Sequence, residues 1–215
     1  NRLYFADLVG AALGTLMVPI VIRLLGAETA ILAIAVLPAM AGVILCLSGG
    51  PGRLSSIWTI AALLILAGHA FFAAWNYHTE TLAIRDAPSK GLYQLLRKHP
   101  QAAKTSDRWN AYSRITSVSG FDDFHLARLY IDSDAWTNVL RWDGTPDTPV
   151  GARDWFRAFP FRLTPEPEVM VIGPGGGTDV IMAIDAGSPS VTAVEMNPLI
   201  VDCVRRFGDQ VGRLY

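Results

Sequence analysis

Cysteine is scarce in this chain: Cys46 and Cys203 are the only two among 215 residues. Two cysteines so placed indicate neither a disulfide framework nor a zinc site, so no metal is expected. An excess of one charge sign is missing too. Eighteen Lys and Arg stand against nineteen Asp and Glu, a net charge of -1, which gives no general reason to expect nucleic acid as a partner. The most informative absence is local. Residues 1–79 carry five formal charges (Arg2, Asp7, Arg23, Glu28 and Arg53), while 32 of the chain's 37 lie in residues 80–215. That contrast excludes a single uniform soluble domain.

Between Glu28 and Arg53 lie 24 residues without a formal charge, and between Arg53 and Glu80 another 26. Each run exceeds the roughly 20 residues a helix needs to cross a bilayer. Residues 1–78 are therefore expected to form transmembrane helices at about 3–25, 29–47 and 57–75, with the bilayer as partner. Ser48-Gly49-Gly50-Pro51-Gly52 supplies the turn between the last two. A cleaved signal peptide does not explain three recurring apolar segments. Gly10 and Gly14 form a small-xxx-small pair, which admits a close helix neighbour or reflects simple tolerance of glycine in lipid. Asp7 is expected to pair locally with Arg2, and His69 to be a buried, hydrogen-bonded histidine. Placing residues 80 onward in the cytoplasm sets Arg23, Arg85 and Lys90 inside against Arg2 and Arg53 outside, a thin positive-inside margin.

Residues 79–110 read as a linker with a short helix near Leu92–Lys98 and a basic Arg97-Lys98-His99 cluster. That cluster suits either anionic headgroups or plain solvation. Residues 111–150 read as a small β subdomain, with strands at Ser113–Ser119 and Leu126–Ile131 joined through Gly120-Phe121-Asp122-Asp123. Asp132, Asp134, Asp143 and Asp154 alternate with Trp136, Trp142 and Trp155; reception of a cationic substrate and loop solubility explain the acids equally well.

Residues 151–215 read as the start of an α/β Rossmann-like domain that is incomplete at Tyr215. Val169–Ile172 is an apolar run suited to a buried parallel strand, and it feeds Gly173-Pro174-Gly175-Gly176-Gly177. Thr178–Ala186 reads as a helix and Val191–Glu195 as a second strand. Asn197 is the N-cap and Pro198 the first residue of a helix to Phe207, with Gly208 closing it. This order sets a glycine-rich turn at the carboxyl end of a strand, where open parallel sheets bind ligands. Glu195 ends the next strand, 22 residues after Gly173, where a carboxylate accepts hydrogen bonds from ribose hydroxyls. Thr178 occupies the third glycine position of a dinucleotide fingerprint, so the spacing is GxGxG. The expected ligand-binding set is Gly173, Gly175, Gly176, Gly177, Asp179, Glu195 and Asn197.

Three stretches resemble the multispanning, membrane-bound spermidine synthase-like proteins: Tyr4-Phe5-Ala6-Asp7-Leu8-Val9-Gly10, Ser113-Arg114-Ile115 with Ile131-Asp132, and VMVIGPGGGTDV leading to VEMNPLIV. The resemblance implies a co-substrate, decarboxylated S-adenosylmethionine or S-adenosylmethionine, and a small-molecule amine acceptor. Gly173, Gly175 and Gly177 would line the donor and Glu195 would hold its ribose. It implies aminopropyl transfer to a polyamine, with the acid that deprotonates the amine expected beyond Tyr215. It also implies a bacterial inner membrane with the nucleoside domain cytoplasmic. Two departures stand out. Soluble relatives carry an aspartate where this chain has Gly176, with Asp179 one turn later either the substitute or only a favourable charge at the helix start, and Arg153-Asp154-Trp155 stands where they have a Tyr-His-Glu segment. A methyltransferase on the same fold, and a transporter or scaffold with a nucleoside-sensing domain, are the competing expectations.

Overall fold

The computed structural model describes residues 2–48, 53–82, 87–145 and 155–215, residues 53–55 and 155 by their backbone alone. The expected turn at 49–52, Arg85, Arg153 and Asp154 lie outside the described residues. The chain divides into two compact units, residues 1–85 with 109–111 and residues 86–108 with 112–215.

In the first unit, α1 spans Arg2–Ser48 and α2 spans Arg53–Thr79. Both are long and apolar enough to cross a membrane. α1 is broken at Gly26, whose φ of 77° and ψ of 162° lie outside the helical region. Glycine has no Cβ to oppose that conformation, so the 47-residue helix is two helical segments meeting where separate spans were expected. Pro19 and Pro38 lie inside it. The helices bury little: Ala30, Val43 and Ala73 are covered, while Leu3, Phe5, Leu16, Leu45, Leu64 and Phe71 are more than two-thirds exposed. An apolar surface of that extent marks a site of contact with a membrane or another protein surface. Asn76 and Thr29 form a buried polar link, Nδ2 donating to Oγ1 at 3.1 Å, and Asn76 Oδ1 accepts the Leu82 N–H at 2.7 Å. Both ends of the amide are thus satisfied, as burial requires.

Two expectations for this unit are corrected. His69 is exposed and its Nδ1 bonds the Ile65 carbonyl at 2.8 Å, one turn back on its own helix. Arg2 and Asp7 form no ion pair with each other, because a separation of five residues at about 100° each sets them on different helix faces. Of the two readings of Gly10 and Gly14, tolerance of glycine fits the described residues, none of which comes within 4 Å of where a Cβ would stand.

The second unit is a small antiparallel sheet followed by a mixed α/β region. α3 (Gly91–Lys98) sets Leu92 and Leu95 against Val118, Phe121 and Tyr130. Arg97 and Lys98 are exposed at its C-terminal end, where the helix dipole favours positive charge. The sheet has four strands in the order β1-β2-β3-β4: Ala103–Trp109, Arg114–Ser119, His125–Ile131 and Ala135–Leu140. The sequence reading contains only the middle two. β1 lies in the stretch read as linker, and β4 carries Trp136, read as loop. Alternation along β3 sends Tyr130 to the α3 side and Leu129 and Ala127 to the opposite face. There they pack with Ile115, Val139 and the helix that carries Leu199, Ile200, Cys203 and Val204.

The α/β region runs α4 (Trp155–Ala158), β5 (Glu168–Ile172), α5 (Thr178–Asp185), β6 (Ser190–Val194) and α6 (Pro198–Arg205). β5 and β6 pair in parallel, Glu168 opposite Ser190 through Ile172 opposite Val194. The expected cap is present: Asn197 Oδ1 accepts the Leu199 N–H at 3.1 Å, with Pro198 first in the helix. Two parallel strands with their helices are α/β order without the full sheet of a doubly wound fold. The strand expected to be buried at Val169–Ile172 is buried only at Val171, with Met170 and Ile172 exposed because a pair of strands has too few neighbours to cover both faces.

Candidate functional site

The glycine turn leaves β5 at its carboxyl end, and Gly173 stays tied to the neighbouring strand through its N–H to the Val194 carbonyl at 2.9 Å. Gly173, Gly175 and Gly177 have φ of 70°, 59° and 92°, a region L side chains rarely adopt. Gly175, Gly176 and Gly177 are buried. Their amides are engaged inside the protein. Gly175 N–H donates to Glu195 Oε2 at 3.1 Å, Gly176 N–H to Thr137 Oγ1 at 2.8 Å, and Gly177 N–H to the Pro174 carbonyl at 2.9 Å. The glycines serve close backbone approach here, with one amide spent within the turn and two on Glu195 and Thr137 beside it.

Glu195 follows β6 and is half-buried. Its Oε1 accepts the Asn197 N–H at 2.8 Å while Oε2 accepts Gly175. The carboxylate therefore bridges the glycine turn and the start of α6, and each oxygen keeps acceptor capacity beyond that bond. Asn197 is spent differently: its Oδ1 caps α6, and its Nδ2 donates to Ser113 Oγ at 3.1 Å, joining α6 to the segment before β2. Asp179 lies in the first turn of α5, a favourable place for negative charge, and is paired with Arg157 of α4, Nη2 to Oδ1 at 2.7 Å. The structure thus gathers Gly173, Gly175, Gly176, Gly177 and Glu195 into one cradle, gives Asn197 a capping role beside it, and gives Asp179 a basic partner.

Three contributors are absent from the sequence reading. Thr137 on β4 receives the Gly176 amide. Tyr215 donates its hydroxyl to the Gly175 carbonyl at 2.7 Å; burial and the neighbouring Glu195 carboxylate both push its phenol above the ordinary value, so it remains a donor. Arg157 holds Asp179. All three act across 22 to 40 residues of chain, and no local motif encodes a contact of that separation.

Three of the aspartates interleaved with tryptophan accept backbone N–H groups, Asp143 within its own turn and Asp132 and Asp134 from distant segments. Asp132 Oδ1 accepts the Arg114 N–H at 2.9 Å, Asp134 Oδ1 the Gly91 N–H at 3.2 Å, and Asp143 Oδ1 the Thr145 N–H at 2.9 Å. Trp142 is buried with Nε1 on the Thr145 carbonyl at 2.8 Å, while exposed Trp136 lies under Arg128, 4.2 Å from the ring centroid. These acids are occupied in holding loops.

Comparison with protein-family models, curated proteins and solved structures gives no match. Function therefore rests on the cradle and the apolar helices.

Proposed function

We propose that this chain is a membrane-anchored, spermidine synthase-like transferase. In this reading α1 and α2 lie in a bilayer as three spans divided at Gly26, and the α/β region binds an S-adenosyl donor on the cytoplasmic side. The observation that carries it is the Glu195 carboxylate, fixed at the carboxyl ends of two parallel strands and bonded to the glycine turn beside it. A ribose presents two adjacent hydroxyls, and a carboxylate at this position suits both. In the aminopropyl version a neutral amine attacks the carbon next to the sulfonium. The C–N bond forms as the C–S bond breaks, methylthioadenosine leaves, and the amine's surplus proton passes to a base.

A second reading, methyl transfer on the same fold, draws on two observations. A Cβ at Gly176 would stand 1.9 Å from the Asn138 carbonyl oxygen, so the aspartate of the soluble synthases has no room there. Asp179, the substitute acid, is already paired with Arg157. A donor that keeps its own carboxylate has less need of a protein acid and can use a basic neighbour.

The deciding experiment supplies full-length protein in detergent with S-adenosylmethionine, its decarboxylated form and mixed polyamines, followed by mass spectrometry. Methylthioadenosine with a lengthened polyamine is expected. S-adenosylhomocysteine selects methyl transfer, and binding without either product selects a sensor. Glu195→Ala is expected to weaken nucleoside binding about 100-fold by calorimetry, since hydrogen bonds to a charged acceptor contribute roughly 1.5 to 3 kcal/mol each. Undiminished affinity removes the ribose role.

A further inference from the structure

β4 touches the glycine turn along consecutive residues. Thr137 Oγ1 accepts the Gly176 N–H at 2.8 Å. A Cβ placed on Gly175 would stand 2.7 Å from that oxygen and 3.1 Å from Thr137 Cγ2, and one placed on Gly176 would collide with the Asn138 carbonyl. Val139 and Gly177 form an antiparallel bridge, and Thr178 Oγ1 reaches the Asn138 carbonyl at 3.5 Å. The turn is therefore seated on the small sheet.

The opposite face of β4 is held as firmly. Arg128 of β3, in register with Asn138, donates from Nε to Asn138 Oδ1 at 2.8 Å. Its guanidinium lies 4.2 Å from the Trp136 centroid and 5.0 Å from that of Phe121, within cation–π range. Trp136 and Asn138 are thus fixed from one side, while Thr137 between them, by strand alternation, presents its hydroxyl to the turn.

We propose that Thr137 is a positioning residue for the nucleoside site. Its hydroxyl sets the conformation of Gly175-Gly176, and hence the place of the Gly175 amide that orients Glu195, so the small sheet dictates the shape of the nucleoside cradle. The proposal rests on the nucleoside reading above. Threonine suits the task because the hydroxyl accepts the amide while the methyl fills the space that glycine leaves at 175; valine keeps the shape and removes the acceptor.

The test uses full-length protein in detergent, with amide hydrogen exchange in the absence of nucleoside and calorimetry with S-adenosylmethionine. In Thr137→Val, Gly176 is expected to exchange about five- to tenfold faster, the scale of one lost hydrogen bond, with amides of β2, β3 and α6 unchanged. S-adenosylmethionine affinity is expected to fall by a similar factor, and Thr137→Ser to restore both. A general loss of stability would instead speed exchange across the sheet. Gly176 protection that survives Thr137→Val overturns the clamp whether or not nucleoside binds. Lost protection with unchanged affinity overturns the positioning role. Wild-type protein that binds neither S-adenosylmethionine nor its decarboxylated form overturns the nucleoside reading on which the role depends.

Discussion

Leu64 on α2 is 68% exposed, whereas Leu129 on β3 is 0% exposed. The same side chain is turned outward in one region and inward in the other, which sets two helices long and apolar enough to cross a membrane apart from a unit with an apolar core. α1 and α2 bury few of their apolar residues and have very few charges. The second unit gathers Ile115, Leu129, Val139, Ile200 and Val204 into a cluster around β2, β3 and α6, while Met170, Ile172 and Val194 of its parallel pair stay exposed. An apolar exterior is stable against hydrocarbon, and an apolar interior is stable against water.

One substitution made twice breaks that comparison most severely. Leu129→Lys buries an ammonium with no acid beside it in the cluster, at a cost of several kcal/mol. Set against a total stability of about 5 to 15 kcal/mol, that is expected to abolish the protease resistance of the α/β unit. Leu64→Lys should leave that resistance unchanged and act on membrane integration instead, where a lysine at a helix centre costs about 2.5 to 3.5 kcal/mol. Limited trypsin digestion and alkaline extraction of membranes separate the two effects. Equal loss of protease resistance in both variants would show that α2 is a water-facing structural helix.

A smaller effect belongs to Asn197. Replacing an N-cap asparagine by alanine costs about 0.5 to 2 kcal/mol, and the Ser113 bond goes with it. Asn197→Ala is expected to lower the urea midpoint of the α/β unit without changing its m-value. It sharpens the comparison because the cap works by satisfying an orphan N–H at a helix start, a demand that water and lipid impose alike. A melt indistinguishable from wild type would show that α6 is held by its packing alone.

The legible parts of this fold are those with a local physical signature. Charge-free runs announced the apolar helices, and the four apolar residues Val169–Ile172 before a glycine run announced β5 and its turn. Asn197-Pro198 announced the start of α6, and Glu195 announced the carboxylate beside the turn. β1 was hidden because Ala103–Trp109 is a polar, charged edge strand with little to bury. β4 was hidden by its turn: Asp132 and Ser133 both adopt positive φ, 50° and 66°, where glycine or asparagine would normally advertise a hairpin. The glycine motif was found, yet its closest partner was not. Gly176 reads in sequence as a lost aspartate; in the structure it is a position that Asn138 leaves no room to fill. Sequence spacing finds a motif's own residues, and the strand that presses on it comes only from the fold.

The smallest expected effect sharpens the comparison from the side of charge. α1 and α2 carry few carboxylates, Asp7 and Glu28, against the seventeen that follow in residues 80–215, and Asp122 is a place to measure the pH dependence of the second unit. Its Oδ1 accepts the N–H groups of Phe124 and His125 at 3.0 and 2.7 Å, and its Oδ2 meets His125 Nδ1 at 2.7 Å. Partial burial alone would raise the carboxyl's pKa, but the backbone and side-chain bonds from His125, that residue's charge and the Phe124 amide together hold it below the ordinary value. A folded-state pKa below the unfolded one gives stability that is complete above the unfolded value of about 3.9 and is lost as pH falls through the folded value. The side chain is well over a third exposed, so solvent screening keeps the contribution on the order of 0.5 kcal/mol. Asp122→Asn should therefore be slightly less stable than wild type at pH 7, and the difference should close as pH falls from about 4 downward. Urea titrations of both proteins at several pH values measure it, and a gap independent of pH would mean that Asp122 contributes turn geometry alone.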